Sequence, residues 1–166
     1  MKTNLILSGC NMRIYDYQRL VGKIEDITEL RNEFITVFDT KDKNEMARFG
    51  LKYAEHILEI TGYTANNELL AGFEAVKEWI DGKTNYHKAR NIALTHLYKE
   101  VRESNDLIRK NFAKTMAQLI CIPHVKAHGL WGSDMAIILI NAMYPNHLDK
   151  VKEEREMQIQ LLKYII

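Results

Sequence analysis

The stretch CIPHVKAHG, residues 121–129, contains side chains that could bind a metal ion or transfer protons. Cys121, His124 and His128 follow the spacing C-x₂-H-x₃-H, and the two histidines would share one face of a helix. Thiolate and imidazole are common zinc ligands, and imidazole titrates near neutral pH. Pro123 interrupts the spacing, and no second cysteine or histidine pair follows. The stretch therefore does not complete the four-ligand set of a structural zinc site on its own.

Four further polar residues stand where apolar ones are expected. When the segment 85–103 is projected as a helix at 100° per residue, Arg90, His96 and Glu100 fall within its apolar arc. Buried charges need partners, and His96 and Glu100, four residues apart, could pair within the helix. His56 lies at the edge of the apolar face of an earlier predicted helix.

These residues allow two interpretations. In the first, His56, His96, His124 and His128, with Glu100 or Cys121, form one polar pocket. Such a pocket could bind a transition metal such as zinc, or it could serve a hydrolase-like enzyme as an acid–base site. In the second, each histidine separately bonds a helix end or a backbone carbonyl, and the set is a structural polar network that includes Arg90. We assign no catalytic residue and expect no cofactor, with zinc as the open alternative.

Helical spacing of apolar residues extends over most of the chain, which predicts an all-α, single-domain bundle of about six or seven helices. Gly129 and Gly132 are expected to bracket a tight turn, and Ser133 to cap the helix that follows. The charged run 150–156 is interpreted as a solvated helix face. The predicted helices are 17–38, 45–60, 67–80, 85–103, 106–122, 135–143 and 147–164.

The predicted last helix has two apolar rows rather than one, which suggests contact on two sides and therefore homo-oligomer formation through this helix. The first row is Leu148, Val151, Ile159 and Leu162, and the second is Met157, Leu161 and Tyr164.

Composition narrows the choice of partners and compartment. The 23 Lys and Arg residues nearly balance the 22 Asp and Glu residues, so the net charge of +1 gives no general attraction to nucleic acid or anionic membrane. The two cysteines, Cys10 and Cys121, are too few for a disulfide framework, so we expect free thiols and a cytoplasmic location.

Residues 7–10 resemble a lipoprotein cleavage box, but the apolar stretch before them is too short. The longest apolar run, 135–140, is far below the roughly 20 residues that span a membrane.

Several longer stretches of the chain resemble a known family. The stretches are RFGLKYAEHILEI, EAVKEWIDGK, ARNIALTHLYKEVRE, IPHVKAHGLWGSDMAIILINAM and EEREMQIQLL, and the resemblance extends over about residues 45–162. Their order and pattern are similar to those of the Imm-5-like putative immunity proteins of bacterial toxin systems. The shared positions include His56, Trp79, Arg90 with His96, and the pair His124 and His128.

The resemblance implies a helical, bacterial protein whose role is to bind and neutralise a cognate toxin, and it implies no enzymatic chemistry. We accordingly assign residues 43–166 to an Imm-5-like helical domain. Residues 1–42 are assigned to an N-terminal extension, partly helical and packed on the bundle. The same positions that the helical projection selected also carry the resemblance, which favours a shared role for them.

Overall fold

The computed structural model describes residues 20–166, and within this range the chain is an all-α bundle of seven helices, as predicted. Predictions that concern residues 1–19, including those for Cys10, lie outside the described residues. The helices are α1 (Thr28–Thr40), α2 (Lys43–Thr61), α3 (Asn67–Ile80), α4 (His87–Ile92, continued by a π-helical stretch Ala93–Leu97 and by Tyr98–Glu103), α5 (Leu107–Ile120), α6 (His128–Met143) and α7 (Leu148–Lys163). No helix in residues 20–166 is long and apolar enough to cross a membrane.

Two polar side chains and one glycine mark the ends of several helices. The side chain of Asn66 accepts a hydrogen bond from the backbone of Leu69 at the start of α3. The carboxylate of Asp106 does the same for two amides at the start of α5. Gly62 ends α2 with φ +68°, a backbone conformation that glycine adopts without steric cost. The bounds of α2, α3 and α5 lie within two residues of the predicted helices 45–60, 67–80 and 106–122.

The core lies where α2, α5 and α6 pack together. Gly50 allows the close approach of α2 to the end of α5, because a Cβ atom there would lie 2.6 Å from Ile122 Cδ1 and 3.2 Å from the carbonyl oxygen of Leu119. The largest apolar side chains without solvent exposure are Phe34, Met46, Phe49, Tyr53, Ile57 and Met116. This packing fixes the directions in which the polar side chains of the same helices point.

The structure corrects the predicted start of α6. The helix begins at His128 rather than after Ser133, so residues 129–132 are helical and the predicted tight turn is wrong. Ser133 is buried inside the helix and donates its hydroxyl to the carbonyl of Leu130. The glycines of α6 allow neighbouring side chains to pack closely against this helix. A Cβ at Gly129 would collide with the end of Met46, and one at Gly132 would lie 2.8 Å from a methyl group of Leu119.

The N-terminal part of the chain also differs from the prediction. Helix α1 begins at Thr28, and the preceding residues 20–27 are not helical. Glu25 exchanges two hydrogen bonds with the side chain of Asn141, at 2.9 and 3.0 Å, which holds this segment against α6. The segment thereby brings Asp26 to the core of the bundle. The division of the chain at residue 42 stays a prediction.

Candidate functional site

A network of ionic side chains, centred on Arg155, lies in the core between the N-terminal segment, α1, α6 and α7. Arg155 has no solvent exposure and binds two carboxylates: its Nη2 lies 2.5 Å from Asp26 and 2.7 Å from Asp134. Asp134, equally buried, also accepts from the Nε and Nη2 atoms of Arg31, at 3.0 and 2.9 Å. Two guanidinium groups and two carboxylates thus neutralise each other away from water. We call this set, with the residues bonded to it, the Arg155 network.

The network continues through α7 to α2 and includes His56. Gln158 accepts from Arg155 at 2.8 Å and donates to the hydroxyl of Tyr53 at 2.7 Å. Tyr53 in turn donates to Glu154 at 2.5 Å, and the Nε2 of His56 lies 3.0 Å from the same carboxylate.

Two pKa shifts follow from this arrangement. The hydrogen bond to Glu154 raises the pKa of His56, although partial burial acts against it. Burial, reinforced by the Glu154 charge, raises the pKa of Tyr53 well above its ordinary value, so the phenol remains a donor.

The Arg155 network is closed and saturated. Every buried side-chain nitrogen and oxygen within residues 20–166 has a hydrogen-bond partner. The grooves lined by His96, by Tyr164 and by Asn141 include neither Asp134 nor Arg155. The geometry therefore suits a network that ties five parts of the fold together: the N-terminal segment, α1, α2, α6 and α7.

The predicted residues His124 and His128 meet at the surface, in a chain of aromatic rings that we call the ring cluster. The cluster consists of Tyr86, His87, His124, His128 and Trp131. Ring centroids lie 4.7 Å apart for Tyr86 and His124, 5.9 Å for His124 and His128, and 5.1 Å for His128 and Trp131. The connection between α5 and α6, around the proline break, positions the two histidines.

His128 is held as a neutral imidazole. Its Nδ1 lies 2.7 Å from the Oε1 of Gln118, whose amide nitrogen donates to the hydroxyl of Tyr98 at 3.0 Å. Because the amide oxygen only accepts, Nδ1 donates, and Nε2 carries no proton. Burial, followed by the nearby His124 and Arg90, lowers the pKa of His128 to about 4. The ring is therefore fixed in position and uncharged at neutral pH.

Cationic groups surround the ring cluster. Partial burial and then the charges of Arg90, Lys43 and His87 lower the pKa of His124. No carboxylate is among these causes. Arg90 is partly buried, and neither an ion pair nor a side-chain hydrogen bond joins it to any other residue between 20 and 166. The surface around His124 is consequently a locally positive one.

The thiol below this surface is not reactive. Burial raises the pKa of Cys121 to about 11, although the charge of Arg90 acts in the opposite direction. Cys121 is a free, buried cysteine and is protonated at neutral pH. It therefore does not supply the thiolate that the C-x₂-H-x₃-H interpretation needs.

His96 and Glu100 lie elsewhere, in a groove of about 520 Å³ formed by α3, α4 and the start of α5. The projection placed His96 in the core, whereas the structure exposes it. The reason is the π-helical stretch Ala93–Leu97, whose wider turn changes the angle between residues before and after it. Glu100 binds Arg109 on α5 at 2.5 Å rather than His96.

The structure thus distributes the predicted site residues over three places. Arg90, His124 and His128 come together at the ring cluster, His56 joins the Arg155 network, and His96 with Glu100 lines the groove. Within residues 20–166 no three or more His, Cys, Asp or Glu side chains are placed to hold a metal ion. The zinc and hydrolase-like hypotheses stay predictions, without an assembled ligand set to carry them.

Sequence reasoning missed the centre of the buried network. The charged run 150–156 is not a wholly solvated face, because Glu154 and Arg155 are buried among exposed neighbours. A signal was present in α6, where Asp134 is the single acidic residue in a largely apolar helix. A lone carboxylate on a buried helix requires a cationic partner, and the residue spacing in the sequence did not identify that partner.

Comparisons with known proteins give one match. The model of the family described as "Imm-5 like putative immunity protein" matches residues 36–164. No curated protein and no solved structure matches the chain. Because the matched region spans most of the chain, the chain belongs to the Imm-5-like family.

Proposed function

We propose that this chain is an immunity protein that neutralises a cognate toxin by binding to it directly. The observation that carries the proposal is the family match over residues 36–164, which includes six complete helices and the end of α1. The family is described as immunity proteins, a class whose members protect a cell against a toxin, and stoichiometric binding is the simplest mechanism for a helical bundle of this kind.

The distribution of polar groups supports binding at the surface rather than chemistry in the interior. The interior charges of the Arg155 network satisfy one another. The ring cluster, by contrast, places tyrosine and histidine rings together with a cation at the surface, and tyrosine, tryptophan and arginine are enriched among the residues that dominate binding energy at protein interfaces.

A co-expression experiment tests the proposal. The proteins encoded by the neighbouring genes are expressed one at a time in a host whose growth they stop, with and without the chain. Rescue of growth, together with a stable complex of the two purified proteins on size-exclusion chromatography, is the expected result. Failure to rescue by soluble, folded chain at comparable expression contradicts the proposal.

Stoichiometry separates binding from the hydrolase-like alternative. A binding protein neutralises only an equivalent amount of toxin and leaves the intact mass of the toxin unchanged. An enzyme acts at substoichiometric amounts and changes that mass. Titrating the chain against a fixed amount of toxin, followed by mass spectrometry of the toxin, therefore distinguishes the two mechanisms.

A further inference from the structure

We infer that the ring cluster, together with Arg90 and Lys43, is the surface that contacts the toxin, and that the contacting face of the toxin is acidic. This inference rests on the proposed function and adds to it the position of the interface and the chemistry of the partner. We call this set of residues the cationic ring surface.

The cations of this surface lack carboxylate partners in the described part of the chain. Arg90 has none between residues 20 and 166, and the Nζ of Lys43 lies over the Trp79 ring, 5.4 Å from its centroid, without an ion pair. Lys88, on the same helix as Arg90, is by contrast paired with Glu78 at 2.5 Å. An unpaired, partly buried guanidinium gains most from a carboxylate supplied by another protein, because Arg binds carboxylates in a bidentate geometry.

The rings of the surface are held in place before any partner arrives. His128 is fixed by Gln118 and contacts the edge of the Trp131 ring at an interplanar angle of 87°. Tyr86 lies against His124 at 4.7 Å on the other side. Side chains that are already ordered lose little entropy on binding, so this surface is suited to contribute much of the affinity.

The two other surface candidates are less suited to an acidic partner. The groove beside His96 carries its own carboxylates, and Glu100 already occupies Arg109 there. The groove at the C-terminal end also holds cations, but they have partners: Lys52 lies 3.5 Å from Glu55, Lys77 lies 3.9 Å from Glu74, and Arg48 donates to Asn44 at 3.2 Å. The cationic ring surface differs from both in that its arginine, Arg90, has neither an ion pair nor a side-chain hydrogen bond within residues 20–166.

An acidic protein fits this surface better than nucleic acid does. The chain as a whole carries a net charge of only +1, whereas non-specific nucleic-acid binding rests on many phosphate contacts. A few fixed cations beside aromatic rings match a local cluster of carboxylates on a protein. Single-stranded DNA is nevertheless included in the test as the competing partner class.

The experiment measures binding of the toxin by isothermal titration calorimetry for the full chain and for Arg90→Glu, Arg90→Gln and His124→Ala. Arg102→Glu is the matched control, because Arg102 is exposed on the same helix α4 and has no ion pair within residues 20–166. Circular dichroism establishes that each variant is folded. We expect Arg90→Glu to weaken binding by about tenfold or more, Arg90→Gln to weaken it less, and Arg102→Glu to change it by less than about twofold.

A charge exchange gives the sharper result. If the contact is ionic, an Asp→Lys or Glu→Lys substitution on the toxin restores binding to Arg90→Glu while weakening binding to the natural chain. Folded Arg90→Glu and His124→Ala variants that bind the toxin as well as the natural chain overturn the inference and leave the proposed function intact. Absence of any binding by the natural chain overturns both. Binding of a 12-nucleotide single-stranded DNA that Arg90→Glu abolishes identifies nucleic acid as the partner and also overturns the inference.

Discussion

Replacing Asp134 by Asn tests whether the Arg155 network holds the fold together. Asp134 accepts hydrogen bonds from both Arg31 and Arg155, and it has no solvent exposure. In Asp134→Asn, Arg155 keeps Asp26, but Arg31 loses the carboxylate that it binds with two nitrogen atoms. Breaking a buried ion pair by removing one partner costs about 3–5 kcal/mol.

The position of Arg31 places the expected loss at the lower end of that range. Its side chain retains 9% exposure, so the freed guanidinium can reach water by a small movement. We expect the free energy of unfolding to fall by about 3 kcal/mol, which is a large part of the roughly 5–15 kcal/mol typical of a folded domain. For a chain of this length the midpoint of thermal unfolding should fall by about 6–12 °C.

Urea denaturation at pH 7, followed by circular dichroism, measures this loss. Glu153→Gln is the control, because it removes an ion pair of similar length, 2.8 Å to Lys150, between exposed side chains, and it should cost less than about 1 kcal/mol. A second variant, Arg31→Leu with Asp134→Asn, removes the stranded charge and should cost less than the two single changes added together. If Asp134→Asn costs no more than the control, the Arg155 network does not stabilise the fold.

Four further predictions concern titration, assembly and metal content. An NMR titration should find the pKa of His128 at about 4. The free energy of unfolding should fall as the pH drops from about 6.5 toward that value, because the unfolded state takes up the proton first. A His128 titration midpoint above about 6 contradicts this prediction. Protonated His56, whose pKa is raised, should stabilise the fold below about pH 6.5, and this contribution should be lost as the pH rises through the folded-state pKa. His56→Gln should therefore flatten that part of the plot of unfolding free energy against pH. An unchanged slope contradicts this prediction. Met157 and Tyr164, from the second apolar row of α7, are 43% and 78% exposed. If this row mediates self-association, light scattering should show an oligomer, and the double variant Met157→Glu with Tyr164→Glu should be a monomer. A natural chain that is monomeric contradicts the predicted oligomer. Elemental analysis after purification without chelators should find less than about one equivalent of zinc, because two imidazoles do not complete a site, and a full equivalent would revive the zinc hypothesis.

The helices that could be predicted are those whose ends depend on neighbouring residues. Asn66, Asp106 and Gly62 act through backbone groups a few residues away, so their effect is readable from the chain itself. The start of α6 could not be predicted in this way. Glycines at 129 and 132 favour a turn locally, but the contacts with Met46 and Leu119 that make them necessary come from distant parts of the chain.

The candidate site residues divide in the same way, into those that local spacing predicts and those that only the folded chain brings together. The pair His124 and His128 could be predicted because the spacing is local, and the structure brings the two rings together. The π-helical stretch could not, because its irregular turn is not encoded in an apolar period, and the uniform projection consequently misplaced His96. The partners of Asp134 stand 21 and 103 residues away, so only the folded chain could identify them.

Helix α6 links the two polar sites, and this affects how variants should be interpreted. His128 is its first residue and belongs to the ring cluster, whereas Asp134, further along, is held by Arg31 and Arg155. A change in the network can therefore reduce toxin binding without altering the interface, by lowering the population of folded molecules. Such a loss disappears when affinity is calculated per folded molecule, or when the temperature is lowered. A loss from Arg90→Glu persists under both conditions, because that residue is proposed to act through contact. Measuring both variants below their unfolding transitions therefore separates the contribution of the fold from that of the surface.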